Sequence, residues 1–224
     1  MNVNTKNMKK LIVLSLAAIA LIANLSSCKK GENDPFLSLK SRKARVVGEW
    51  TVTKEEGTSQ DISKISFGGV TVTTTTNETS TYNGTLFTST SVTTSSAGGN
   101  PLENTYNDVY TQSYTFEKDG SFTLETVYTG QNYTEKIEGT WAFVGKSKTA
   151  ELKNKEAIAL SITKYSDIDN GVTTTYSATG FDDSIIIAID RLKNKEMVFI
   201  RESTYSEPNG DTGSSSLTTT LTAK

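Results

Sequence analysis

Large apolar residues recur at every second position in run after run of this chain. Val46, Gly48, Trp50 and Val52 share one face of the first run. Tyr110, Tyr114 and Phe116 repeat the pattern, followed by Phe122, Leu124 and Tyr128, then Ile137, Gly139, Trp141 and Phe143, then Ile158, Leu160 and Ile162. A period of two puts alternate side chains on opposite faces of an extended strand, which marks strands with one buried face. No stretch carries a convincing helical period except Lys148–Leu160, which reads equally as turn plus strand. Composition agrees: Thr occurs 36 times in 224 residues, and Thr fits a pleated, half-exposed surface. The expected fold class is all-β.

The turns point to an antiparallel meander. Asn83-Gly84, Asp119-Gly120, Asn170-Gly171 and Asn209-Gly210 are dipeptides that tolerate the positive φ of tight hairpins. Pro35, Pro101 and Pro208 all fall between strand candidates or before them, where a missing N–H costs no ladder bond. Ser184–Leu192 and Glu196–Glu202, joined by Lys193-Asn194-Lys195, read as a buried hairpin. Ile185–Ile189 is apolar on both faces, so cover on both sides is expected there. The count is about ten strands, at the spacing of a sandwich or barrel. Ser214–Thr222 reads as a last strand or a frayed tail. Residues 56–104 differ: they are rich in Thr, Ser and Gly, with few large apolar side chains. Val70–Thr76 and Thr85–Thr94 still have strand character, so a long polar hairpin with a loop at Ser95–Pro101 is expected, the alternative being a disordered low-complexity insertion.

The first residues have another purpose. Lys6, Lys9 and Lys10 precede an apolar stretch, Leu11–Leu25, of about 15 residues, which is signal-peptide length and short of the ~20 that a spanning helix needs. It ends Leu25-Ser26-Ser27-Cys28, which resembles the bacterial lipobox, with cleavage between Ser27 and Cys28. The resemblance implies that Cys28 receives a diacylglyceryl thioether and then an N-acyl chain. Each buried CH₂ contributes about 0.8 kcal/mol, and one chain binds only marginally, so two or more are needed for a stable anchor. An ordinary secretory signal with a chance cysteine is the alternative; the only cysteine in the chain stands where the lipobox requires one. Lys29 lies where an Asp would retain a Gram-negative lipoprotein at the inner membrane, so outer-membrane routing is expected, with periplasmic or surface exposure left open. Glu32 and Asp34 faintly resemble acidic surface-export signals. The expected organisation is a signal peptide over 1–27, a lipidated tether over 28–43 and one domain over 44–224. Loss of 1–27 leaves 20 basic and 25 acidic residues, net −5. That charge argues against nucleic acid as a partner.

Much chemistry is excluded. There is no histidine, which removes His-based triads and His-ligated metals. A single cysteine removes internal disulfides and Cys-cluster zinc. Asp182-Asp183 reads as solvated turn charge. Asp167-Ile168-Asp169-Asn170-Gly171 begins like a calcium loop but lacks the later ligands, and reads as a hairpin turn. The Asn-x-Ser/Thr patterns at Asn77, Asn83 and Asn132 mean little in a bacterial chain. No enzyme activity, cofactor or metal is expected, and the chain is expected to be a monomer.

Gly48-Glu49-Trp50 resembles the G-x-W that opens the first strand of lipocalins and related calycins. Tyr114–Trp141 (YTFEKDGSFTLE, then EGTWAF) and Asp190–Glu202 (DRLKNKEMVFIRE) are similar to the small bacterial lipocalin-like lipoproteins. The resemblance spans most of 44–204 and implies an antiparallel up-and-down barrel, with a Thr-rich hairpin inserted. It also implies that Gly48 and Trp50 mark the closed end and that an Arg packs across Trp50; Arg201 matches best, then Arg191. A barrel of this type can hold one small ligand. Tyr114, Phe116, Phe122, Tyr128, Trp141 and Phe143 are candidates to line such a cavity, or else to fill the core. The expected function is a lipid-anchored envelope protein that binds a small hydrophobic ligand. The other reading is an interaction lipoprotein whose Thr-rich hairpin meets a protein or glycan. In a bacterial host, Cys28→Ala is expected to abolish acyl labelling and to move the chain out of the detergent phase. Labelling and partition equal to wild type would refute lipidation at Cys28.

Overall fold

The computed structural model describes residues 41–146, 155–178 and 184–224. Cys28, Ser27, nearly all of the tether and Asp182-Asp183 lie outside the described residues. The alternating runs form strands β1 Gly48–Phe67, β2 Val70–Tyr82, β3 Leu86–Ser95, β4 Leu102–Phe116, β5 Ser121–Tyr128 and β6 Tyr133–Lys146. They continue as β7 Glu156–Asp169, β8 Val172–Ser177, β9 Ser184–Leu192, β10 Glu196–Ser206 and β11 Thr212–Ala223. Every pairing is antiparallel, and the ladders run from β1 through β7, then β9, β10 and β11 back to β1. The result is a closed barrel of ten strands. β8 takes the upper part of the β7 edge that β9 takes lower down.

The four expected turns form where the dipeptides stand. Asn170 (φ 47°) and Gly171 (φ 81°) both lie in the left-handed region that a two-residue hairpin turn needs. A polar β2–β3 hairpin forms too, but it turns at Asn83-Gly84-Thr85; the loop expected at Ser95–Pro101 joins β3 to β4 instead. Ser214–Thr222 belongs to a full strand, β11.

β1 gives one edge to two partners. From Gly48 to Thr51 it pairs with Phe116 to Ser113 of β4. From Glu55 onward it pairs with Tyr82 and the rest of β2. The end at Gly48 is therefore a ring of eight strands (β1, β4, β5, β6, β7, β9, β10 and β11), and the other end, where β2–β3 is wedged in, is a ring of ten. Barrel diameter grows with strand number, and eight strands leave a lumen that side chains just fill. The narrow end is packed accordingly. Trp50, Val52, Phe116, Phe122, Trp141, Ile158, Leu192, Met197 and Leu221 are all buried there. The Phe116 ring meets Trp141 edge-on at 5.5 Å and Phe199 edge-on at 6.4 Å. Burying each such side chain contributes about 1.5–3 kcal/mol.

A short helix, α1 (Arg42–Val46), crosses the expected boundary between tether and first strand. Ser41 caps it, its Oγ accepting from the Ala44 N–H at 3.1 Å. Arg42, Arg45 and Val46 are buried. Arg42 pairs with Glu156 and Arg45 donates to the Leu192 carbonyl, so α1 closes the narrow end. Trp50 Nε1 donates to the Val46 carbonyl at 2.8 Å, tying α1 to the floor of the core.

The wide end is wet on both faces of its strands, which accounts for the Thr. Thr and Ser hold β geometry while offering hydroxyls to either side. Thr76 meets Thr93 at 3.0 Å and Ser203 meets Ser215 at 2.7 Å across strands, contacts worth about 0.2–1 kcal/mol each. Two-sided cover on β9 is met only in part: Ala188, on the outer face, is buried, whereas Ile186, on the same face, is 64% exposed. The β9–β10 ladder also stops at Ala188↔Ile200, although β9 reaches back to Ser184 and β10 runs on to Ser206.

Gly139 is a tight point of the wall, pressed against backbone of the neighbouring strand. A Cβ there would lie 2.1 Å from the Ser161 carbonyl oxygen and 2.7 Å from the Phe122 ring. Gly139→Ala is therefore expected to lower unfolding stability by about 1–3 kcal/mol, read as a drop in denaturation midpoint. An unchanged midpoint would contradict this packing.

Candidate functional site

Two bulges decide which side chains face the lumen. The β1–β11 register shifts between Val52 and Lys54. Trp50 and Val52 face inward before it; Glu55, Gly57 and Ser59 do so after it, as the burial pattern shows. Plain alternation would have sent Lys54 and Glu56 inward. On β7 the register slips again between Ile162 and Lys164, against Gly139 and Glu138. Ile158, Leu160 and Ile162 face inward below the slip, and Tyr165 and Asp167 above it.

Above the packed floor lies a cavity of about 140 Å³. Its walls are Phe122, Leu124, Ile137, Leu160, Ile162, Ile185, Ile187, Phe199 and Leu217, and its polar groups are Glu55, Tyr114, Arg201 and Thr219. Thr219 Oγ1 donates to Glu55 Oε1 at 2.7 Å and is the only side-chain donor to Glu55 among the described residues. Burial pushes the Glu55 pKa up, against the Thr219 hydrogen bond and the Arg201 charge, which draw it down. Burial also raises the Tyr114 hydroxyl, with Glu55 adding to the effect. Tyr114 makes ring contacts with Phe116 and Phe199, and its hydroxyl has no hydrogen-bond partner among the described residues.

Nearer the wide end the lumen carries a chain of aromatic rings. Tyr82 stacks on Tyr110 at 4.9 Å, Tyr110 meets Tyr128 at 5.6 Å, and Tyr128 meets Tyr133 at 5.3 Å. Tyr128 donates to Glu135 at 3.1 Å, and Tyr133 to Asp167 at 3.2 Å. Burial and the Glu135 charge hold both tyrosine hydroxyls at about 12, so these hydroxyls stay protonated donors.

The aromatic candidates thus separate. Tyr114 and Phe122 line the cavity. Phe116 and Trp141 belong to the packed floor, with Phe143 half-buried beside Trp141. Tyr128 belongs to the upper ring chain. Gly48 opens β1 at φ 140°, a conformation that favours glycine, opposite Phe116. Arg201 does not sit with Trp50. Along the β1–β11–β10 ladders it is level with Leu217 and Gly57, seven residues up β1 from Trp50. The cation over an indole is Lys43, 5.7 Å from the Trp141 ring. Arg191 pairs with Glu196 at 2.8 Å. Glu55 was not legible as a site residue, because only the bulge turns it inward. Asp167 accepts from Tyr133, and Asn170-Gly171 is the β7–β8 turn. No group able to hold a metal ion occurs among the described residues, and none of their helices is long and apolar enough to cross a membrane.

No family model and no curated protein matches the chain. Among solved structures it has a low similarity to the crystal structure of Rv2717c from M. tuberculosis. Identity is 14%, over 81% of this chain and 94% of that one, with a TM-score of 0.22; a likeness at that score carries no argument.

The raised pKa of Glu55 has a consequence for stability. Its charged form is disfavoured in the folded state, so stability falls as pH rises above the ordinary value of 4.5 and levels off past the raised value. The stability of Glu55→Gln relative to wild type is therefore expected to rise as pH increases from the ordinary value of 4.5 through the raised one, as read from melting temperatures. A difference independent of pH would contradict the assigned burial.

Proposed function

We propose that this is a lipid-anchored cell-envelope protein, routed to the outer membrane, whose barrel binds one small and largely apolar ligand. The observation that supports the reading most is the cavity between the packed floor and the wet wide end. It is apolar on most sides and has a few polar groups at one place, as small-molecule sites do. A dry apolar cavity of about this volume accommodates a benzene-sized body. Cys28 supplies the anchor in this reading.

A second reading has an observation of its own. A groove of about 470 Å³ near the wide end is lined by hydroxyl, amide and carboxylate side chains, among them Thr58, Gln60, Asn77, Thr79, Ser203 and Ser215. Such a surface suits a glycan or a polar protein partner of the Thr-rich hairpin.

The two readings separate in solution. Residues 31–224 form a compact unit of their own, with a closed sheet and a complete core, so a chain starting at Gly31 serves. Saturating toluene is expected to raise its melting temperature, as a ligand specific to the folded state does. Leu160→Trp, which fills the cavity, is expected to abolish the rise. No saturable shift with toluene or related small apolar compounds would overturn the binding reading and leave the groove as the functional surface.

A further inference from the structure

The polar corner of the cavity holds a feature that its apolar walls do not explain. One carboxylate, Glu55, and one guanidinium, Arg201, face the same small space. They interact through space, yet no ion pair joins them among the described residues. Thr219 donates to one Glu55 oxygen, Oε1, and among the described residues no other side chain donates to the carboxylate. The Tyr114 hydroxyl, at the same corner, has no side-chain or backbone partner among them either. Here a donor (Arg201), an acceptor (Glu55) and a group that can be either (Tyr114) line the same pocket beside its apolar walls.

We propose that this corner selects a small ligand with an apolar, benzene-sized body and an uncharged head that both donates and accepts a hydrogen bond, such as an alcohol, a phenol or a primary amide. The inference rests on the binding reading above and adds the chemistry of the ligand to it. A neutral hydroxyl donates to Glu55 and, with two lone pairs, accepts from both Tyr114 and Arg201, so all three groups are engaged at once. A carboxylate head gains Arg201 but is repelled by Glu55 and leaves that carboxylate without a ligand donor. An ammonium head gains Glu55 but is repelled by Arg201. Specificity of this kind comes from a repulsive element against each wrong class. It is strong because a partly buried polar group left unpaired costs more than a satisfied one gains. The size limit follows from the volume of about 140 Å³, which excludes long-chain lipids.

Three probes of nearly one shape test this: benzyl alcohol, benzoate and benzylammonium, titrated into the chain starting at Gly31 at a pH where all charges are developed. Wild type is expected to bind the alcohol at least tenfold more tightly than either ion. Glu55→Gln is expected to improve benzoate at least fivefold, and Arg201→Gln to improve benzylammonium by a similar factor, while Leu160→Trp blocks all three. Both Gln variants keep side-chain size, and each reads the proposal independently. A wild-type preference for either ion, or a ranking unmoved in both Gln variants, would overturn the proposed head-group chemistry while toluene binding persisted. Failure of toluene and all three probes would remove the binding reading itself, and this inference with it.

Discussion

A strand edge can serve only one partner at a time, and β1 spends its edge on two. Its first four residues pair with β4 and the rest with β2. The remainder of the architecture depends on that division. Where β1 meets β4 the ring has eight strands, and side chains fill it. Where β2–β3 separates them the ring has ten, and the side chains no longer reach across. The floor, the cavity above it and the hydroxyl-lined wide end are successive levels of one tapering wall. Removing the fork would leave either a uniformly filled barrel or a uniformly open one.

The bulges act within that taper. Each adds one residue to a strand and exchanges its inner and outer faces. On β1 the exchange converts an apolar inner face, Trp50 and Val52, into a polar one led by Glu55 just where the ring widens. On β7 it replaces Ile162 with Tyr165 and Asp167 at the corresponding change. The inner face thus turns from apolar to polar where solvent begins to enter, and Glu55 is left at the border between the two regimes. That position makes it half-buried and raises its pKa, and it also sets the carboxylate beside apolar walls. α1 serves the opposite end, where Arg42 and Arg45 place charge on Glu156 and the Leu192 carbonyl and close the floor.

Strand positions, the Asn-Gly turns and the Thr-rich hairpin were legible in the chain, because period-two patterning and turn chemistry are local. Phe116, Phe122 and Trp141 were legible as inward residues for the same reason. What was not legible depends on pairing between distant segments. No local pattern says that Gly48–Thr51 pairs with Phe116–Ser113, so the taper was hidden. A bulge is visible only against a partner strand, so Glu55 looked like one of many solvated charges on a polar strand. Arg201 was singled out through resemblance as a cover for Trp50, but the β10–β11 register places it higher, beside Glu55. α1 is too short for helical periodicity to reveal; Ser41 as a cap was the one local signal for it.

In the proposed function the barrel is a small binding chamber held at a membrane by a lipid on Cys28. The central physical claim is that the chamber is a real, dry, accessible void. A crystal structure of the chain under xenon pressure tests it most directly, since apolar cavities of this size take up the gas. The account predicts one xenon site enclosed by Leu160, Ile187 and Phe199, below Glu55 and Arg201. Packed side chains in that space, or an ordered water network there with no xenon, would contradict it.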